Sequence, residues 1–219
     1  MSAETAQKFT RVGTMFALIA FILMILGTFR CNFIKFTDTQ GTSEAISLHF
    51  GIWHYQAWSI VKSVDGTFAL ESCRGYPDYI NMDGSWTAAR VFSVLVIIFA
   101  VIVVGASLIN FCNEKGVYGA RETFSWEAPM YLTTALFQGF TLLILSSSAC
   151  KNNILVQRFS NDIFATFPDT CSLDTGAKFS ISAMVFFIAA SIANFIGYRM
   201  DVEDIGMEGE ADLTVPLTL

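Results

Sequence analysis

Four stretches of the chain, 12–29, 91–111, 130–148 and 179–198, contain no Asp, Glu, Lys or Arg. Leu, Ile, Val, Phe, Ala and Met dominate them, as in VFSVLVIIFAVIVVGASLINF at 91–111. None carries a polar face at the 3.6-residue period, which a half-buried helix of a soluble bundle would need. A helix needs about 20 residues to cross a hydrocarbon core of about 30 Å, and each run is about that long. The pattern predicts an α-helical membrane protein built as a four-transmembrane-helix bundle. Lys8 and Arg11 precede the first run, as in a signal peptide. Its length exceeds the usual core of about 7–15 residues, however, and Gly27-Thr28-Phe29 makes a poor cleavage site. Four retained spans place both termini on one side.

Average composition conceals this division: the 219 residues are 53% hydrophobic and 15% charged, with a net charge of −6. All the charges crowd between and beyond the runs, at an ordinary soluble density there. A soluble globule and a disordered chain are excluded, and so is a nucleic-acid partner, since nothing basic is clustered. No span holds an acid, a base or a histidine, so the usual mark of a proton relay or pump is missing. His49 and His54 are the only histidines and complete no metal site, and no CxxC or Ser/His/Asp constellation exists. The expectation is a protein that is not an enzyme and uses no cofactor. Asn110, Gln138 and Asn194 should face one another away from lipid. Gly105, Ala106, Ser107, Ala189, Ala190 and Ala193 should allow close helix approach.

Lys and Arg do not settle the topology. Five lie on the side of the termini and eight in the loops 30–90 and 149–178, against the expected bias, although loops near 60 residues translocate largely regardless of charge. Cysteines are more telling. Cys31 and Cys73 lie in the first of these loops, and Cys150 and Cys171 in the second. An even count per loop suits an oxidising compartment. Of the three pairings four cysteines allow, the two within-loop bridges are preferred. Both loops then face outward and both termini are cytosolic, with the plasma membrane as the expected location. Cys112, at the cytosolic end of the second span, is a candidate palmitoylation site.

A loop of 61 residues should fold. ISLHFGIWHYQAWSIV at 46–61 and GTFALESC at 66–73 are rich in β-branched and aromatic residues, with Asp65-Gly66 as a hairpin signal between them. CNFIKF at 31–36 and NILVQRF at 153–159 are further candidate strands. Together they predict a small antiparallel extracellular β-sheet formed by the two outer loops. SWTAARVF after Asp83-Gly84 reads as the start of the second helix. Trp86 and Trp126 sit where membrane-interface aromatics belong, and Trp53 and Trp58 fall in the sheet.

Four spans, cytosolic termini and a long first outer loop resemble the claudin-like tetraspan superfamily. That superfamily includes claudins, peripheral myelin and epithelial membrane proteins and calcium-channel gamma subunits. Its first-loop signature is Gly-Leu-Trp, two cysteines and an Arg entering span two. This chain has Gly51-Ile52-Trp53, Cys73 and then Ala88-Ala89-Arg90. Gln56 stands where the family has its first cysteine, which leaves Cys31 as the substitute partner for Cys73. Phe33 is nearest the family's tryptophan after span one, and Cys150 and Cys171 are an added pair. The resemblance implies adhesion or membrane-domain organisation through the outer loops, with self-assembly, cell-junction contacts at Trp53 and the sheet tips, and Arg90 as a structural anchor. Its gamma-subunit branch implies instead an auxiliary subunit of a channel, transporter or other membrane complex. Partners are therefore the lipid bilayer and other membrane proteins, including further copies of this chain.

The transmembrane domain ends at 198. Residues 199–219 carry one Arg and six acids, the pattern of a solvated, disordered cytosolic tail that holds nearly the whole net charge. Its last residues, Leu217-Thr218-Leu219, have the apolar-x-apolar form that a cytosolic carboxylate-capturing domain reads, through Leu217 and Leu219.

Overall fold

The computed structural model describes residues 3–38, 47–63, 66–112, 120–163 and 166–212. These form mainly helices: α1 (Ala3–Phe29), α2 (Gly84–Cys112), α3 (Ala120–Phe140), α4 (Ile154–Ile163) and α5 (Thr175–Asp212). A 3₁₀ segment, Thr141–Ser146, continues α3. Five strands complete the chain: β1 (Ile34–Thr37), β2 (Ser47–Phe50), β3 (His54–Ser63), β4 (Gly66–Gly75) and β5 (Ser172–Leu173). Four helical stretches are long and apolar enough to cross a membrane: Gln7–Phe29, Gly84–Cys112, Trp126–Ser146 and Thr175–Arg199. They overlap the four charge-free runs and each begins earlier, while the third ends two residues sooner, at Ser146; α5 itself runs on to Asp212, so the stretch expected as a disordered tail is helical that far.

Local chemistry sets the helix ends. Asp83 Oδ1 accepts from the Trp86 backbone N–H at 2.9 Å, capping α2 where the sequence places its start. The other oxygen, Oδ2, accepts from the Ser148 N–H at 2.8 Å, beyond the 3₁₀ segment. That segment tightens the third apolar stretch because its hydroxyls bond carbonyls three residues back. Thr141 donates to Gln138 O at 2.7 Å, Ser146 to Leu143 O at 2.8 Å and Ser147 to Ile144 O at 2.6 Å.

The sheet is antiparallel in the order β4-β3-β2-β1-β5. β3 and β4 pair from His54↔Gly75 to Ser63↔Gly66. The expected turn at Asp65 lies outside the described residues. The expected strand at 31–36 becomes β1, which pairs with β2 from Ile34↔Phe50 to Thr37↔Ser47. The β-rich stretch 46–61 divides in two, since β2 and β3 meet at the single pair Phe50↔Tyr55 and Gly51-Ile52-Trp53 turns the chain between them. Alternate residues of β1 and β2, Ile34, Phe36, Leu48 and Phe50, are buried in a core that also takes in Phe33, Ile52, Trp86, Leu155 and Val156.

The stretch 153–159 is helical rather than the expected fifth strand. Asn153 caps α4, its Oδ1 accepting from the Leu155 N–H at 2.9 Å. Leu155 and Val156 are buried, Phe159 joins them and Gln157 and Arg158 are exposed, which is helical spacing. The fifth strand is β5, pairing Ile34↔Leu173 and Lys35↔Ser172.

The chain divides into two compact units, and α1, α2, α3 and α5 each contribute to both. One unit comprises Met1–Phe21, Ile98–Ala135 and Val185–Leu219. Within it the Arg11 guanidinium lies 5.9 Å from the Phe111 ring. Ser107 Oγ and Tyr131 OH share a hydrogen bond at 2.6 Å, and Ser191 donates to Ala128 O at 2.7 Å. The other unit, Ile22–Ile97 and Leu136–Met184, contains the sheet and both disulfides. In it Gln138 donates to Ser180 Oγ at 2.5 Å, and Phe92 meets Phe140 with ring centroids 4.7 Å apart.

Asn110, Gln138 and Asn194 do not pair with one another. Asn110 donates to Glu127 Oε1 at 2.8 Å, while Asn194 donates to Ala190 O of its own helix at 2.9 Å. A Cβ at Gly105 would meet nothing within 4 Å, so Gly105 marks no close helix approach; Gly13 does, against Asn194 and Ala190 O. The absence of charge from the spans also needs correction. The third apolar stretch starts at Trp126, which brings in Glu127, fully buried with Oε2 unpartnered, and the second brings in Arg90.

Candidate functional site

The turn after β2 is built around a glycine. A Cβ at Gly51 would collide with the Arg30 carbonyl and lie 2.9 Å from that of His54, so no larger residue fits. The Gly51 N–H donates to His54 O at 2.7 Å, and Gly51 O accepts from Tyr76 OH at 2.7 Å. This tight turn drives Ile52, fully buried, toward the first turns of α2. Its carbonyl accepts from Trp86 Nε1 at 3.3 Å and from Arg90 Nε at 3.0 Å.

Arg90 sits among three aromatic rings. Its guanidinium carbon lies 5.0 Å from the Trp53 ring centre, 5.4 Å from Tyr76 and 5.7 Å from Trp86. Trp53 Nε1 donates to Ser93 Oγ at 3.0 Å, and Ser93 donates to the Arg90 carbonyl at 2.7 Å. Tyr76 and Trp86 meet edge to face at 4.7 Å. Burial pushes the Tyr76 phenol well above its ordinary range, outweighing the opposite pull of the Arg90 charge.

The structure thus brings together Gly51, Ile52, Trp53 and Arg90, four residues singled out in the sequence. Trp53 packs on α2 rather than standing at a sheet tip. Trp86, expected at a membrane interface, is buried in the cluster, its Nε1–H donating to Ile52 O. Tyr76, Trp86 and Ser93 are members that sequence reasoning missed. For the last two a signal exists, since 86, 90 and 93 follow the i, i+4, i+7 spacing of one helix face. The Trp58 side chain lies outside the described residues, as do Leu217 and Leu219.

Cys31 is bonded to Cys73 and Cys150 to Cys171, with Cα separations of 5.8 Å and 4.8 Å. The first ties β4 to the residues just after α1. The second is reinforced by the Cys171 N–H donating to Cys150 O at 3.0 Å. Cys112, the last residue of α2, is free and exposed. His49, without an assigned partner in the sequence, meets Asp174 through Nδ1 at 2.5 Å, a contact from β2 to the residue preceding α5. Among the described residues, no three of His, Cys, Asp and Glu gather into a metal-holding group.

Chemically, the Arg90 cluster is a clamp. One carbonyl, that of Ile52, and three rings fix one cation at the head of an apolar helix, and through it the β2–β3 turn. No protein-family model matches the chain, and neither does any curated protein.

Proposed function

We propose that the protein is a non-enzymatic integral membrane protein, of claudin-like plan, whose sheet makes contacts with other membrane proteins, including further copies of itself. The exposed apolar surface of the four long helices carries this reading. Only 33–39% of the most apolar window of each is buried. Residues such as Ile109, 67% exposed, and Leu136, 56% exposed, would face water in a soluble protein, whereas lipid covers them at no cost. The two disulfides support an oxidising setting for the sheet, which leaves the termini cytosolic and favours the plasma membrane. The clamped turn and the Cys31–Cys73 bond supply the rigidity that a contact surface needs.

Cross-linking in intact membranes is expected to yield oligomers that a Cys73→Ser variant loses. A protein that stays monomeric in membranes and in gentle detergents overturns self-assembly. A second reading, an auxiliary subunit of a larger membrane complex, is favoured by apolar stripes on single helices. Val185, Ile192 and Phe195 of α5 are all more than half exposed. Affinity purification in mild detergent that returns one stoichiometric, large integral partner selects this alternative.

A further inference from the structure

We propose that Glu127 anchors a binding site for an alkali cation, enclosed by α2, α3 and α5 within the unit formed by Met1–Phe21, Ile98–Ala135 and Val185–Leu219. The site goes beyond the contact-making role above and does not rest on it, because protein alone buries this carboxylate.

Three observations select the ligand. First, the charge is stranded. Glu127 is fully buried, Asn110 Nδ2 donates to its Oε1 at 2.8 Å, and Oε2 has no partner. No Lys, Arg or His among the described residues forms an ion pair with it. Within the unit, the Arg11 and Arg199 guanidinium groups lie on the Phe111 and Phe195 rings instead. A buried carboxylate without a countercharge is costly, and a water on Oε2 would leave that charge uncompensated. A proton on Oε2 would turn an unpartnered acceptor into an unpartnered donor. A metal cation takes Oε2 directly and supplies the charge.

Secondly, the neighbouring side chains offer hard oxygen ligands. Ser107 and Tyr131 stand one turn from Asn110 on α2 and from Glu127 on α3. Both are buried, and their hydroxyls share a hydrogen bond at 2.6 Å that leaves lone pairs free. One carboxylate balances a single charge, so an alkali ion fits better than calcium or magnesium. Thirdly, the unit holds a second acceptor in want of a positive partner. Asn194 Oδ1 is its only other buried side-chain acceptor without a donor among the described residues. Ser191 donates to Ala128 O at 2.7 Å. Asn194 on α5 and Glu127 on α3, three residues and one residue from that contact, therefore sit within about one helical turn of the same level. One cation shared between them satisfies both. Asn110 is half-buried and the next residues, Phe111 and Cys112, are exposed, which gives the ion a short way in.

The test titrates the full chain in mild detergent with NaCl or KCl, replacing N-methylglucamine chloride, whose cation is too large for the site, at constant ionic strength. The unfolding temperature is expected to rise and saturate with NaCl, KCl or both. Glu127→Gln, a neutral isostere, should remove the saturable rise. Asn194→Ala should move its midpoint several-fold toward higher salt. Labelling of the wild type keeps the site testable even if Glu127→Gln fails to fold. Dicyclohexylcarbodiimide couples to carboxyl groups screened from water, and its rate at Glu127, read by peptide mass spectrometry, should fall several-fold in the stabilising salt. An unfolding temperature indifferent to both ions overturns the proposal. So does a rise that persists in Glu127→Gln, or a midpoint that Asn194→Ala leaves unchanged. Labelling of Glu127 that ignores the stabilising salt also overturns it, and would mark a cation bound elsewhere on the chain.

Discussion

Tyr76 shows how one side chain converts burial into a pH dependence. Its phenol donates to Gly51 O and is held neutral by burial, with a folded pKa above the unfolded value of about 10. A group whose folded pKa is raised contributes stability that is fully present below the unfolded pKa and lost as pH climbs toward the folded one. Tyr76→Phe forfeits the hydrogen bond, about 1 kcal/mol at neutral pH. Thermal unfolding in mild detergent should show that gap from wild type closing above about pH 10, because only the wild type suffers this loss. A gap independent of pH would contradict the assignment. Glu127 makes the opposite point about what a sequence yields. A run defined by the absence of charge begins only at 130, three positions after Glu127. Its place inside the helix depends on where α3 starts, which hydropathy does not mark.

Among the helices and strands, legibility followed the strength of the period. Four apolar runs near 20 residues admit one interpretation as elements, and the hairpin strands announced themselves by β-branched and aromatic residues. The short stretch 153–159 does not: seven residues hold too few turns to separate a period of two from one of 3.6. The decisive clue was Asn153, a good N-cap immediately before Ile154, with Leu155, Val156 and Phe159 following at helical spacing. Asn153→Ala should therefore cost α4 about 1 kcal/mol, while Asn153→Ser or Asn153→Asp should cost far less. Amide exchange over 154–163 measures this, and uniform exchange across the three variants would refute it. The 3₁₀ segment was illegible for another reason: Ser and Thr hydroxyls choose between carbonyls three and four residues back only once the helix is packed.

As one chain, the protein relies on long-range ties that sequence counting could only narrow. Two cysteines per segment favoured local bridges, and both are present, but no spacing rule connects His49 to Asp174 or Asp83 to Ser148. The first disulfide spans 42 residues and the second 21. Loop-closure entropy then predicts about 4 kcal/mol for Cys31–Cys73 and about 3 kcal/mol for Cys150–Cys171. Paired serine variants of each, compared by thermal unfolding in mild detergent, should rank in that order. A larger loss from the Cys150/Cys171 pair would place the dominant constraint in that short segment instead. The Arg90 cluster was half legible for a related reason. Gly51-Ile52-Trp53 and Arg90 stood out as a pattern, whereas Tyr76 reaches them through a turn that no motif encodes.

Asp83 offers a mechanical consequence. Apolar helices lying side by side resist separation better than they resist slipping lengthwise, because one ridge of methyl groups resembles the next a turn away. A carboxylate that gives one oxygen to the opening of α2 and the other to the backbone beyond the 3₁₀ segment does not tolerate such slippage. A shift of one helical turn, about 5.4 Å, would break a bond to a backbone N–H. This single side chain acts as a depth stop, setting how far one helix stands relative to the other.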